Sequence, residues 1–158
     1  QHDKATTCFE AALARFEKVG DVREQAIAHL HLAETALAQA RLADTQARRD
    51  VLHISRAHCA EATRRFNRSG YALGLADVDR VYAGLAQLEG RWAVAERYLR
   101  DALAVYEEHG DRLNLAETHA ELGHLLQAMG QENQAHEALS RSRTEFSSLL
   151  GDREDTLN

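Results

Sequence analysis

Small and apolar side chains recur along most of this chain at steps of four, three and four residues. The clearest run is Ala95, Leu99, Ala102 and Tyr106. Steps of this size place side chains on one face of an α-helix, whereas a half-buried strand alternates every second residue. The pattern therefore predicts amphipathic helices. Three further copies are Ala5, Phe9, Ala12 and Phe16; Ser55, Cys59, Ala62 and Phe66; and Ala135, Leu139, Ser142 and Phe146.

Glycine follows the aromatic residue that ends each of these stripes. A glycine just past a helix accepts the left-handed conformation needed there, and an aspartate after it can cap the next helix. We therefore expect the first three glycines to mark joints between helices. The four glycines are spaced 50, 40 and 41 residues apart. The joints are Phe16 with Gly20-Asp21, Phe66 with Gly70-Tyr71, Tyr106 with Gly110-Asp111 and, more loosely, Phe146 with Gly151-Asp152.

The helix after each joint carries a small residue that would let a second, antiparallel helix pack closely. These residues are Ala33, Ala83 and Gly123. The turn between the two helices is expected twenty residues after the joint glycine, at Ala40, Gly90 and Gly130. The predicted helices span about 3–18, 22–42, 46–68, 73–89, 92–108, 112–129 and 132–149.

The composition supports an all-α fold. Proline is absent, strong helix formers dominate, and valine and isoleucine are sparse. The seven helices form one domain, with a half repeat at 3–18, hairpins at 22–68, 73–108 and 112–149, and a tail at 150–158. Because the first helix has no preceding partner, we expect the chain to be a fragment of a longer protein.

The small residue in the first helix, followed by Ala-x3-[Leu/Phe]-x2-Ala in the second, resembles the tetratricopeptide repeat. The forty-residue period and the Gly-Asp joint are similar to a longer variant, found in bacterial regulators of the MalT and AfsR type. The resemblance covers about residues 3–150. It implies a right-handed α-solenoid of antiparallel helix hairpins. His29, Asp79 and His119 stand where the family has tryptophan early in the first helix, and the usual proline is missing.

The resemblance also implies a binding site. Partners of this family usually lie in a concave groove lined by the first helix of each hairpin. A clamp for a peptide's terminal carboxylate would need Lys, Asn and Arg there, and only Arg80 fits, which argues against chaperone-tail binding. The polar positions carried over to this groove are Glu34, Asp77, Arg80, Gln87, Glu117, His124 and Gln127.

The first hairpin is about ten residues longer than the others and is rich in arginine. The segment 41–68 contains seven arginines and three acidic residues, which gives it a local charge of +4 in a chain of net charge −6. The extra residues lack glycine and proline, so they extend both helices, with Asp44 or Asp50 as the N-cap. Arg48, Arg49 and Arg56 lie on this basic projection. Either they are solvated, or they bind an anion or an acidic partner.

Chemistry-bearing residues are few. The nine histidines lack metal-ligand spacing, no Cys-x2-Cys pair occurs, and no nucleophile or phosphate-loop signature is present. We therefore expect ordinary surface or groove histidines, no metal or cofactor, and no catalysis. Cys8 and Cys59 are expected to be buried free thiols, consistent with a reducing cytoplasm. No stretch is apolar enough to span a membrane.

These observations favour a protein-interaction or ligand-sensing scaffold within a larger bacterial regulatory protein. The expected partner is a protein or peptide. A self-association module is the alternative, because apolar helix faces at the ends of the array could pair between chains. Nucleic-acid binding through the arginines of 41–68 is disfavoured, since aromatic side chains are not interleaved with them.

Overall fold

The computed structural model describes residues 2–155, and this part of the chain contains seven α-helices and no strand. The all-α prediction is confirmed, and each predicted helix is present. The last helix extends six residues past its predicted end at 149, and residues 156–158 of the predicted tail lie outside the described range. The helices are α1 His2–Val19, α2 Val22–Leu42, α3 Thr45–Ser69, α4 Ala72–Leu88, α5 Trp92–His109, α6 Arg112–Ala128 and α7 Glu132–Asp155.

The helices pack as three consecutive hairpins, α2–α3, α4–α5 and α6–α7, because only short turns separate the members of each pair. Helix α1 packs on α2, while α3 contacts α4 and α5 contacts α6, so each hairpin touches the next. Helices α2 and α4 also contact each other. This succession of hairpins is the helical-repeat architecture that the stripes predict.

The joints between units have the predicted chemistry. Gly20, Gly70 and Gly110 adopt φ values of 77°, 66° and 68°, a region that disfavours any side chain with a Cβ. Asp21 then caps α2 by accepting hydrogen bonds from the amides of Arg23 and Glu24, both at 3.1 Å. The three joints therefore each end a helix at a left-handed glycine, and aspartate caps the next helix at the first and third joints but not at the second, where Tyr71 makes no side-chain cap.

The predicted helix bounds 22–42 and 46–68 place the turn of the first hairpin correctly, but the count of twenty residues from Gly20, which places it at Ala40, is wrong. Ala40 is fully buried inside α2, and the turn lies at Ala43 and Asp44. The Asp44 carboxylate caps α3 by accepting from the amides of Gln46 and Ala47 at 3.0 Å. The extra residues lengthen α2 to 21 residues, against 17 in α4, and α3 to 25, against 18 in α5. The projection is thus helical, as predicted, with Asp44 as the cap.

Small residues bring the two helices of a hairpin close together. The carbonyl oxygen of Ala33 accepts a hydrogen bond from the buried Ser55 hydroxyl at 2.8 Å. A Cβ placed on Gly123 would lie 2.6 Å from Cγ of Leu139, closer than packed side chains approach. Both contacts join the first helix of a hairpin to the second, which confirms the predicted role of these positions.

The aromatic residues that end the stripes of α3 and α5 fill the joints to the next hairpin, whereas Phe146 of α7 is 36% exposed. Phe66 is fully buried and lies against Gly74, where an added Cβ would come within 2.6 Å of the ring. Tyr106 is fully buried as well, in a cluster with Ala76 of α4 and Leu115 of α6. Phe66 thus joins the first hairpin to the second, and Tyr106 joins the second to the third.

The two cysteines differ in their surroundings. Cys59 is fully buried, and burial raises the pKa of its thiol to about 12, so it behaves as a core residue. Cys8 is exposed, so the prediction that both thiols are buried is wrong for it. Phe9, rather than Cys8, occupies the stripe position of α1 that corresponds to Cys59. Among the described helices, none is long and apolar enough to cross a membrane.

The contact at Gly123 gives a prediction about stability. Replacing Gly123 by Ala raises helix propensity by about 1 kcal/mol, but the new methyl group overlaps Leu139 and overpacking costs about 1–3 kcal/mol. We therefore expect Gly123→Ala to lower the midpoint of thermal unfolding monitored by circular dichroism. Gly151→Ala is the matched control, because a Cβ at Gly151 meets nothing within 4 Å, and it should not destabilise. A Gly123→Ala variant more stable than the parent would contradict the close approach.

Candidate functional site

Arg80 lies at the centre of the face formed by α2, α4 and α6. Its side chain is 19% exposed, and its guanidinium donates to Oδ1 of Asn114 at 2.8 Å. It also pairs with Oε2 of Glu117 at 3.2 Å and with Oε1 of Glu121 at 2.6 Å. All three partners belong to α6, so Arg80 ties α4 to α6 across the joint between the second and third hairpins. A ligand carboxylate would have to compete with two carboxylates already in place.

Asp77 and Glu34 of the predicted groove are also engaged within the fold. The hydroxyl of Tyr106 donates to Oδ1 of Asp77 at 2.6 Å, so the ring that fills the joint is also held by its polar end. Burial raises the pKa of the Asp77 carboxyl, while the bond from Tyr106 opposes that change. Glu34 accepts from Nδ1 of His31 at 2.9 Å, and this hydrogen bond raises the pKa of His31.

A cavity of about 290 Å³ lies on the same face and collects three of the predicted groove residues, Arg80, Gln87 and His124. Arg41 and Trp92 also line it, and neither was in the predicted groove set. Trp92 is 43% exposed at the start of α5, where its ring borders the cavity. The signal that could have identified it is a large aromatic residue directly after the turn at Gly90. Glu34, Asp77, Glu117 and Gln127 do not line this cavity.

Two of the three arginines of the basic projection bind to other residues of the chain. Arg48 donates from Nε to the carbonyl of Ala40 at 3.0 Å and from Nη2 to that of Ala43 at 2.9 Å, so it caps the C-terminus of α2. Arg56 pairs with Glu89 at 2.6 Å and connects α3 to the end of α4. Arg49 is exposed and makes no ion pair or hydrogen bond with the residues that the structure describes.

Further along α3, Glu61 pairs with both Arg64 and Arg65. The local charge of +4 already counts Glu61, so the neutralisation that lowers it further comes from outside the segment, where Glu89 pairs with Arg56. Of the three arginines expected on the projection, Arg49 and Arg56 are exposed, and the Arg56 side chain is 44% exposed despite its ion pair with Glu89.

His29 and His58 form a pair that the sequence analysis missed. Nδ1 of one ring lies 3.0 Å from Nδ1 of the other, across the interface of α2 and α3. His29 is only 7% exposed, so the prediction of ordinary surface or groove histidines is wrong for it. Burial, followed by Arg65 and His58, lowers the pKa of His29 to about 4. The described residues contain no group of three or more His, Cys, Asp or Glu side chains placed to hold a metal ion.

The His29–His58 pair makes stability depend on pH. His29 has a pKa of about 4 in the folded chain and 6.5 when unperturbed, so between these values the unfolded chain binds more protons. The free energy of unfolding should therefore fall as pH decreases from 6.5 toward 4, by at most about 3 kcal/mol. Burial lowers the pKa of His58 too, which acts in the same direction.

Chemical denaturation at a series of pH values checks this dependence. The variant His29→Gln, which keeps a hydrogen-bonding side chain without titrating, should show a flatter profile between pH 4 and 6.5. His53→Gln is the matched control at an exposed histidine and should keep the slope of the parent chain. Equal slopes for the two variants would show that His29 does not carry the effect.

A comparison with known families matches part of this array. A protein-family model described as Tetratricopeptide repeat matches residues 74–144, which run from α4 into α7. No curated protein matches the chain. Repeats of this kind generally mediate protein–protein interaction and are typically non-catalytic scaffolds. Residues 74–144 are therefore similar to tetratricopeptide repeats in sequence, and the structure shows the same succession of packed helices in the part of the chain that precedes them.

Proposed function

We propose that this chain is a non-catalytic scaffold domain that binds a segment of a protein partner on the face of α2, α4 and α6. The observation that carries the proposal is the 290 Å³ cavity, which gathers Arg80, Gln87 and His124 from neighbouring helices. These three residues lie within the segment that matches the tetratricopeptide repeat. Repeats of that family generally act by presenting such a surface to another protein.

The surface is held in one arrangement before any partner arrives. Arg80 holds α4 against α6 through its ion pairs with Glu117 and Glu121. Tyr106 of α5 holds α4 through its hydrogen bond to Asp77. A preorganised surface loses less conformational entropy on binding than one that must be ordered. Arg80 thus serves as a brace of the site more than as its contact residue.

Trp92 and Arg41 give this cavity a recognisable chemistry. Tryptophan and arginine are both enriched among the residues that contribute most to binding at protein interfaces. His124 and Gln87 add hydrogen-bonding groups at its border, and both are reachable from solvent. A peptide with one apolar side chain and polar neighbours fits this lining.

We further propose that this domain is part of a larger bacterial regulatory protein. The forty-residue period and the Gly-Asp joints are similar to repeats of bacterial MalT- and AfsR-type regulators, so we place the domain in a larger regulatory protein of that kind. In such a protein this domain would sense a partner, and neighbouring domains would give the output. The exposed Arg49 supports one second candidate, an acidic partner bound at the basic projection.

Peptides selected from a random display library against the chain distinguish the two surfaces. Their affinities are then measured by fluorescence polarisation on variants of each surface. The double variant Gln87→Ala/His124→Ala should weaken the selected peptides by about tenfold or more, equivalent to about 1.4 kcal/mol. Neither residue takes part in the hydrogen bonds and ion pairs by which Arg80 connects α4 to α6, so the fold should persist.

Arg49→Ala is the matched control at the projection and should leave these affinities within about twofold, as expected for a residue outside the contact. If the peptides lose affinity for the Arg49→Ala variant but not for the double variant, the binding site lies on the basic projection. Failure to select any peptide would count against a peptide-binding scaffold altogether.

A further inference from the structure

Arg41 lies in the extra turn that lengthens the first helix of the first hairpin. Helix α2 has 21 residues, whereas α4 and α6 have 17 each. Counted from the joint glycine, the residues that correspond to Arg41 are Arg91 and Gln131, and both lie in the turns that follow α4 and α6. The last turn of α2 therefore carries a side chain at a level that α4 and α6 do not reach.

The guanidinium of Arg41 lies over the backbone of α4 at Gly84. A Cβ added to Gly84 would come within 3.4 Å of Nη2 of Arg41 and within 2.6 Å of Cδ2 of Leu37. The absence of a side chain at Gly84 thus lets α2 and α4 contact each other closely. Arg41 extends across this contact and lines the 290 Å³ cavity.

The positive charge of Arg41 is not used within the part of the chain that the structure describes. Arg41 is exposed and makes no hydrogen bond or ion pair with those residues. Arg48, and not Arg41, donates to the carbonyl groups at the end of α2. The other arginine that lines the cavity, Arg80, already pairs with two carboxylates. A guanidinium that is open to a ligand therefore stands at the edge of the cavity.

We propose that Arg41 binds the carboxylate of an aspartate or glutamate side chain in the partner segment, while an apolar neighbour of that side chain packs on Trp92. This contact rests on the proposed function, because it forms in the same cavity. A guanidinium presents N–H donors in a planar fork that matches a carboxylate, and such charge-assisted hydrogen bonds are strong. Trp92 is 43% exposed, and Leu125 and Ala128 add apolar surface to the lining.

The charges around the cavity favour a ligand group with a single negative charge. Glu117 and Glu121 already exceed the charge of Arg80 with which they pair, so Arg41 alone is left to neutralise a ligand. A carboxylate brings one negative charge, whereas a phosphate group brings about 1.5 to 2 at neutral pH. Because Glu121 also lines the cavity, it would repel the excess charge of a phosphate. The segment is therefore acidic rather than phosphorylated.

The tightest peptide from the display selection, synthesised with both ends blocked, is the probe for this contact. Blocked ends leave side chains as its only carboxylates. The peptide should contain an aspartate or glutamate next to a large apolar residue. Replacing that acid by its amide should weaken binding, measured by fluorescence polarisation, by about tenfold or more, since the charge-assisted bonds are lost. A phosphoserine in its place should bind more weakly than the acid.

Variants of Arg41 show whether this residue reads the acid. Arg41→Gln should weaken the acidic peptide by about tenfold and leave the affinity of the amide version unchanged, so the two changes are not additive. Arg41→Lys keeps the charge without the planar fork and should restore only part of the affinity. Arg49→Gln is the matched control at an exposed arginine outside the cavity and should leave every affinity within about twofold.

A reversal of charge separates recognition from any general loss of contacts. Arg41→Glu should bind a peptide whose acid is replaced by lysine at least about tenfold more tightly than it binds the acidic peptide. A selected peptide without an acidic residue would overturn the contact. Equal effects of Arg41→Gln on the acidic and amide versions would overturn it too, as would tighter binding of the phosphoserine version.

The double variant Gln87→Ala/His124→Ala separates a failure of this contact from a failure of the proposed function. If the selected peptides lose affinity for the double variant but are indifferent to Arg41→Gln, the binding surface stands and the role of Arg41 is wrong. If no peptide is selected, both the surface and the contact are wrong.

Discussion

Phe66 and Tyr106 are fully buried at the two joints between hairpins, and the rest of the structure depends on these contacts. A single helix hairpin exposes apolar surface on the side that meets its neighbour, so it gains most of its stability by stacking. Phe66 fills that space against Gly74, and Tyr106 fills it between α4 and α6. The relative placement of α2, α4 and α6, and hence the face that gathers Arg80, Gln87 and His124, follows from this stacking.

Most of the fold could be predicted because each unit repeats the same local signals. The helical steps of Ala95, Leu99 and Tyr106 determine the buried face, and a glycine at φ near 70° ends the helix. The predictions for the turn at Ala40 and for the burial of Cys8 are wrong because they use the spacing along the sequence without the residue type at each position. Counting twenty residues from Gly20 leads to Ala40, which is not a turn-forming residue and lies inside α2. Cys8 is exposed because Phe9, and not Cys8, stands at the stripe position of α1.

The candidate site was less predictable, because its properties come from pairs that meet across helices. Arg80 was assigned to the groove from its position alone, but its role follows from Glu117 and Glu121, which lie about forty residues later. The His29–His58 pair likewise joins side chains 29 residues apart.

The central claim is that the hairpins are stabilised as neighbours through the buried aromatic residue at each joint. Native-state hydrogen exchange of the variant Tyr106→Ala tests it most directly. Removing this ring costs about 3–5 kcal/mol at the joint between the second and third hairpins. The account predicts that amides of α6 and α7 lose protection while those of α2 and α3 keep theirs. An equal loss of protection in all helices, or no loss in α6 and α7, would contradict it.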